Sequence, residues 1–282
     1  KITSETVTYD VFAGQFGKGR LPLGIAKKNQ KTIALPLRQL STLCIYQGAE
    51  EGTEAVLKNF LRAVKMNDGE LWFMQKREQS RFEACTREFP DEFVRTTRKI
   101  LPESGELENI WHEMADKMAE RIDMRKNYWE EHQISGEKEM MTDQAFDYMY
   151  RNTRPWFLVI ENQADFCQAM DNVSAIVFSR LFQAIRGLNI YLLTFYAADD
   201  PDEIKGKHIY AGFDEQQMTM LFGGKFDKQA IVELPPEVLQ TGKQVPFNVC
   251  LMKYRNAFHV LAMPCGEAEH TQTDPDSQNI FI

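Results

Sequence analysis

The sequence predicts an α/β fold: a mainly parallel sheet flanked by helices, with a helical insertion and a C-terminal β-hairpin. Three stretches carry that expectation. Residues 43–64 read as a short apolar strand, a loop holding Gly48 and Gly52, and a helix with Val56, Leu57, Phe60, Leu61 and Val64 on one face. Strand, glycine loop and helix in that order is the scaffold of a phosphate-binding P-loop. Residues 154–162 form a continuous apolar run closing on an acid, the pattern of a buried parallel strand. Near the C-terminus, residues 247–254 and 257–263 are two β-type runs separated by Arg255 and Asn256, which predicts a hairpin.

Taken in order, residues 1–24 are expected to be a lead-in from a preceding module. Thr6, Val7, Thr8 and Tyr9 have strand character, and Gly14, Gly17 and Gly19 then break it. That glycine-rich run is followed by no strand-to-helix pattern and reads as a loop. Residues 21–26 and 31–37 predict two short strands joined at 27–30. After the strand at 42–46 with its loop and helix, residues 69–76 look like another strand, expected to pair parallel to the one at Leu43. Residues 103–132 make the clearest helix, with Ser104 as N-cap and Leu107, Ile110, Trp111, Met114, Met118 and Ile122 on one face. A second helix is expected to start at Thr142 and carry Phe146, Met149 and Tyr150. The charge-rich stretch 103–150 reads as an insertion over one edge of the sheet.

Beyond the strand at 154–162, residues 174–185 predict a helix closed by Gly187. Residues 189–196 are a further β-type run. More sheet is expected at 209–213 and 218–222, with Gly223 and Gly224 as a turn. Residues 25–264 are thus expected to form one domain, and 265–282 a polar, disordered tail.

The chemistry of a working P-loop is missing from the Walker A slot. Set against G-x-x-x-x-G-K-[ST], Gly48, Ala49, Glu50, Glu51 and Gly52 fill the first five places. Thr53 then takes the second glycine, Glu54 the lysine and Ala55 the hydroxyl residue. The motif's lysine reaches the β and γ phosphates, and its Ser or Thr holds Mg²⁺. A unit charge pair about 4 Å apart is worth about 4 kcal/mol at an effective dielectric near 20. Glutamate for lysine reverses that sign, a swing of roughly 8 kcal/mol. A third of the swing is on the order of a hundredfold in affinity. An ordinary strand–turn–helix without P-loop ancestry fits the same residues.

The Walker B slot is similarly altered. An active motor would show two acids after the apolar run, one for Mg²⁺ and one to polarise water. Here Glu161 holds the first place and Asn162 the second, and an amide cannot act as a general base. Thr194 is the candidate for a polar sensor on the neighbouring strand; a threonine with no such role fits as well.

Bulk properties narrow the function. With 282 residues and 43% hydrophobic content, the chain can bury one large or two small domains. No apolar run reaches the roughly 18 residues needed to cross a bilayer. The opening at Lys1 reads as a soluble piece cut from a longer protein. A net charge of −8 disfavours nucleic acid as the main partner. Five widely spaced cysteines without C-x-x-C read as buried reduced thiols. No H-E-x-x-H helix is present, since His112-Glu113 lacks the second histidine, and the acids at 199–203 read as a solvated loop, so no metal site is expected.

The loop at Gly48, the strand at Leu71, the apolar-acid strand at 158–161 and the strand at 190–194 stand in one order. Together with Pro155 and the Leu-Phe-Gly-Gly at Leu221, this order resembles the FtsK/SpoIIIE family of RecA-like ATPases. More closely, it is similar to the C-terminal ATPase module of EssC/EccC proteins, the membrane-anchored motors of type VII secretion. The resemblance runs from about Gly24 to Pro264 and implies a RecA-like P-loop NTPase fold. It also implies a degenerate nucleotide site without catalytic residues: Gly48 to Ala55 as the Walker A remnant, Glu161 and Asn162 as Walker B, Thr194 as sensor. ATP and Mg²⁺ are then expected to bind weakly if at all, and no cofactor is expected. Implied partners are adjacent ATPase modules of the same chain and secreted WXG100-type proteins, in a hexameric full-length assembly on the cytoplasmic side of the membrane. The alternative is a nucleotide-binding or hydrolysing translocase module with an atypical P-loop, in which Lys58 or an arginine from a neighbouring module replaces the missing lysine.

Overall fold

The computed structural model describes residues 17–26, 28–29, 31–47, 53–74, 94–95, 106–168, 170–197, 217–222, 234, 236, 249–254 and 257–263. Among them run ten strands: β1 (Arg20–Ala26), β2 (Thr32–Pro36), β3 (Thr42–Gln47), β4 (Glu70–Met74), β5 (Val94–Arg95), β6 (Trp156–Ile160), β7 (Ile190–Ala197), β8 (Gln217–Phe222), β9 (Val249–Tyr254) and β10 (Ala257–Ala262). Five helices accompany them: α1 (Thr53–Met66), α2 (Glu106–Glu131), α3 (Lys138–Asn152), α4 (Gln163–Gln168) and α5 (Asn172–Ala184).

One mixed sheet joins all ten strands in the order β2-β1-β10-β9-β8-β3-β7-β6-β4-β5. The run β8-β3-β7-β6-β4-β5 is parallel, and β2-β1-β10-β9-β8 is antiparallel. The two N-terminal strands and the C-terminal hairpin are found where the sequence puts them. β1 already pairs from Arg20, so the sheet begins before the boundary expected at residue 24.

One expected pairing is wrong. β4 does not lie beside β3, because β7 and β6 stand between them. The reason is burial. All five residues of β6 are buried, and so are the described side chains of β7. A parallel sheet gives such strands its centre, which moves β4, whose Glu70 is half-buried, outward.

Alternation along the strands divides the core into two faces. Leu43, Ile45, Phe73, Phe157, Val159 and Leu193 meet the apolar stripe of α1. Tyr46, Trp72, Trp156, Leu158 and Leu192 meet α2, α4 and α5 through Trp111, Met114, Phe166, Phe178 and Phe182. Burying one such aromatic is worth about 2–3 kcal/mol, and edge-to-face contacts between Trp111 and Phe166 and between Phe60 and Phe157 fix their relative tilt.

The insertion covers a face, not merely an edge. The α2 stripe runs on into Arg121 and Arg125, which reach the chain just before β6 and β7. Arg121 donates to the carbonyls of Asn189 (2.8 Å), Leu188 (3.2 Å) and Arg154 (2.7 Å). Arg125 donates to Arg186 O at 2.6 Å. Burial pulls the Arg121 guanidinium down to about 10, which leaves it cationic at neutral pH. Lys117 pairs with Glu70 and lies over the Trp72 and Trp156 rings. From α3, Tyr150 Oη donates to Asn67 Oδ1 at 2.9 Å, and the same oxygen accepts Gly19 N–H at 2.7 Å. α3 starts at Lys138, ahead of the expected Thr142, whose hydroxyl donates back to Lys138 O inside the helix. The expected cap Ser104, the strand at 209–213, the turn at Gly223-Gly224 and the tail 265–282 lie outside the described residues.

α5 is capped by Asp171, whose carboxylate accepts Ser174 N–H, a bond that holds its pKa below the ordinary carboxylate range. Its C-cap is Ile185, and Gly187 follows in the left-handed region at φ +78°. A Cβ there would lie 2.5 Å from Thr142 Cγ2. Gly187→Ala therefore combines strain with a clash against α3, and it is expected to lower stability by about 2 kcal/mol in urea unfolding.

Candidate functional site

Strand order brings the end of β3 close to the end of β6. β3 ends at Gln47, directly before the Gly48 loop, and β6 ends directly before Glu161. β7 lies between them, with Thr194 level with Cys44 on one side and Ile160 on the other. Glu161 and Thr194, expected as Walker B and sensor positions, thus lie on the two strands next beyond β3. Gly48, Ala49, Glu50, Glu51 and Gly52 lie outside the described residues. Thr53 opens α1 and is fully buried. Glu54 and Ala55 occupy the first turn of α1, where helix geometry places exposed backbone N–H groups and favours an anion.

At the Walker B end the side chains are enclosed. Glu161 is 3% exposed and Thr194 0%. The Glu161 backbone N–H donates to Met74 O at 2.9 Å, continuing the β4–β6 ladder by one residue. Asn162 is occupied structurally. Its side-chain oxygen accepts Asp165 N–H at 3.1 Å and so caps α4. That explains locally why a short polar residue stands at the turn from β6 into α4.

Gln163, which sequence reasoning passed over, is fully buried beside this pair. Its Nε2 lies 3.5 Å from Cys44 Sγ. The only hint in the sequence is its place directly after Glu161-Asn162 at the end of an apolar strand. Thr194 falls between Leu193 and Phe195, which face α1, so alternation turns it toward the α4–α5 face, as it does Cys44. Among the described residues no cluster of three or more His, Cys, Asp or Glu could hold a metal ion, and no helix is long and apolar enough to cross a membrane.

No family model and no curated protein matches the sequence. Solved structures do match its fold. The cytoplasmic domain of EssC superposes with a TM-score of 0.70 at 14% identity, over 94% of this chain and 48% of that one. Thermomonospora curvata EccC (ATPases 2 and 3), in complex with a signal sequence peptide, gives 0.67 at 11% identity, over 93% and 43%. The pCW3 conjugation coupling protein TcpA, in monomer form with ATPγS, gives 0.65 at 10% identity, over 94% and 70%. The chain therefore spans about half the length of the EssC and EccC structures. At these identities the likeness is one of fold, and the RecA-like fold of the EssC/EccC ATPase domains is the one expected from the sequence.

If capping is what Asn162 does, Asn162→Ala should cost about 1 kcal/mol in urea unfolding, while Asn162→Asp should stay within a few tenths of wild type.

Proposed function

We propose that the chain is a catalytically degenerate ATPase-like module of a type VII secretion motor, binding or regulating the export of secreted WXG100-type proteins. The observation that carries the reading is Asn162. It stands where a motor needs a carboxylate to polarise water, and its side chain is engaged in capping α4. Three further features support it. Glu54 puts an acid in the first turn of α1, at the place of the phosphate-binding lysine. Ala55 supplies no Mg²⁺ ligand. Glu161 and Thr194 are enclosed. Mg·ATP does not fit this set of residues, and no catalytic residue, metal or cofactor is assigned.

The partners follow from the same reading. The EccC structure is described as two ATPase units with a signal sequence peptide, which supports adjacent ATPase modules of the same chain and a secreted protein as partners here. The full-length protein would be a membrane-anchored hexamer with this module on its cytoplasmic side. The net charge of −8 argues against nucleic acid.

A second reading, a nucleotide-binding or hydrolysing module with an atypical loop, is favoured by the ATPγS in the similar TcpA structure. It would need Lys58, half-buried one turn beyond Glu54, or an arginine from a neighbouring module as the phosphate ligand.

Calorimetric titration with Mg·ATP is expected to show nothing tighter than millimolar, and a micromolar constant would overturn the first reading. Glu54→Lys combined with Ala55→Thr is expected to tighten Mg·ATP binding by on the order of a hundredfold. Steady-state hydrolysis that disappears in Lys58→Ala would decide for the second reading.

A further inference from the structure

Charge is sorted by side in this molecule. Residues 11–49 hold six Lys or Arg and no Asp or Glu, in a chain whose net charge is −8. Lys18, Arg20, Lys28 and Lys31, on and beside the β1–β2 hairpin, are exposed and form no ion pair among the described residues. α1 lies against this hairpin: Leu21 and Leu23 pack with its apolar stripe, and Asn67, directly after it, accepts Gly19 N–H. The outward side of α1 is basic as well. Val56, Leu57, Phe60, Leu61 and Val64 are buried, and Lys58, Arg62 and Lys65 stand at i, i+4 and i+7 away from them.

The other face of the sheet has the opposite sign. α2 turns Trp111, Met114, Met118, Arg121 and Arg125 inward, which leaves Glu113, Asp116, Glu120, Asp123 and Glu130 exposed along its outer side. Its Lys117 is drawn in to Glu70, and Lys126, 3.8 Å from Glu130, is the one base of this helix that faces out. Where α3 comes near the basic side, opposite charges do pair, as Arg38 and Asp147 show at 2.8 Å. The α1 and α2 stripes cannot pair in this way within one molecule, because the sheet lies between them.

We propose that a second copy of this chain supplies the counter-charge: the basic side formed by α1 and the β1–β2 hairpin of one copy docks on the acidic outer side of α2 of the next. Sign and extent both favour this occupant. The helix advances roughly 10 Å from Lys58 to Lys65 and roughly 15 Å from Glu113 to Asp123, so the stripes are of similar length. The two sides face away from each other, so a single two-fold contact cannot engage both, and the association is head-to-tail. Exposed ion pairs are individually weak, which makes the contact transient and sensitive to salt. The secretion reading rests on Asn162 and not on these surfaces, so either can fail without the other.

Sedimentation velocity of the full chain tests it. Association is expected to grow between about 10 and about 300 μM at about 0.1 M salt, and to vanish at about 0.5 M. One variant combines Lys28→Glu, Lys31→Glu and Lys65→Glu; the other combines Asp116→Lys, Glu120→Lys and Asp123→Lys. All six positions are exposed, so both variants are expected to unfold near the wild-type midpoint. Each alone is expected to be monomeric. Their equimolar mixture is expected to form a 1:1 pair that grows no further, because each keeps one intact side. Both variants retain a negative net charge, so general attraction does not produce that pair. A wild type that stays monomeric, self-association that survives the higher salt, or a mixture that stays monomeric overturns the proposal. So does a monomeric chain that binds phosphatidylglycerol vesicles or polyglutamate through its lysines, which would assign the basic side to a different anion.

Discussion

A parallel sheet covered on both faces must fill its centre with strands that need little from water, and the rest of this molecule is arranged around that demand. β6 and the described part of β7 are buried throughout and take the middle, next to β3. Several polar contacts near them are made at the strand ends. Arg121 and Arg125 direct their donors to carbonyls just ahead of β6 and β7, and Asn162 turns the chain out of β6 by capping α4. Because the centre is fixed by apolarity, the ends of β3, β6 and β7 are brought into one neighbourhood.

The elements themselves were legible in the sequence, because each has its own short-range period. The α1 stripe, the apolar run before Glu161 and the C-terminal hairpin are read from local pattern, without knowledge of any partner. Strand order is another matter. The strand at Leu71 was expected beside Leu43 from its distance along the chain. Competition for the centre is a comparison among all strands, and a local pattern does not contain it. The same holds for α2, whose apolar face was evident, whereas the arginines extending it serve carbonyls more than 30 residues away.

At the site, Glu161, Asn162 and Thr194 could be picked out in the sequence, but their physical work could not. Asn162 could be seen to lack a carboxylate; that it caps a helix depends on where α4 begins. Glu161 and Thr194 could be placed on neighbouring strands, but their enclosure depends on α4 and α5 packing over them. Gln163 gave no sequence signal of its own, since its meaning lies in contact with Cys44, 119 positions earlier.

Asn67 Oδ1 receives both the Gly19 N–H and the Tyr150 hydroxyl. One oxygen therefore pins three separate parts of the chain: the approach to β1, the end of α1 and the last turn of α3. The insertion is thereby tied to the end of α1. Because Asn67 directly follows α1, α3 and the approach to β1 are both fastened to the same end of that helix.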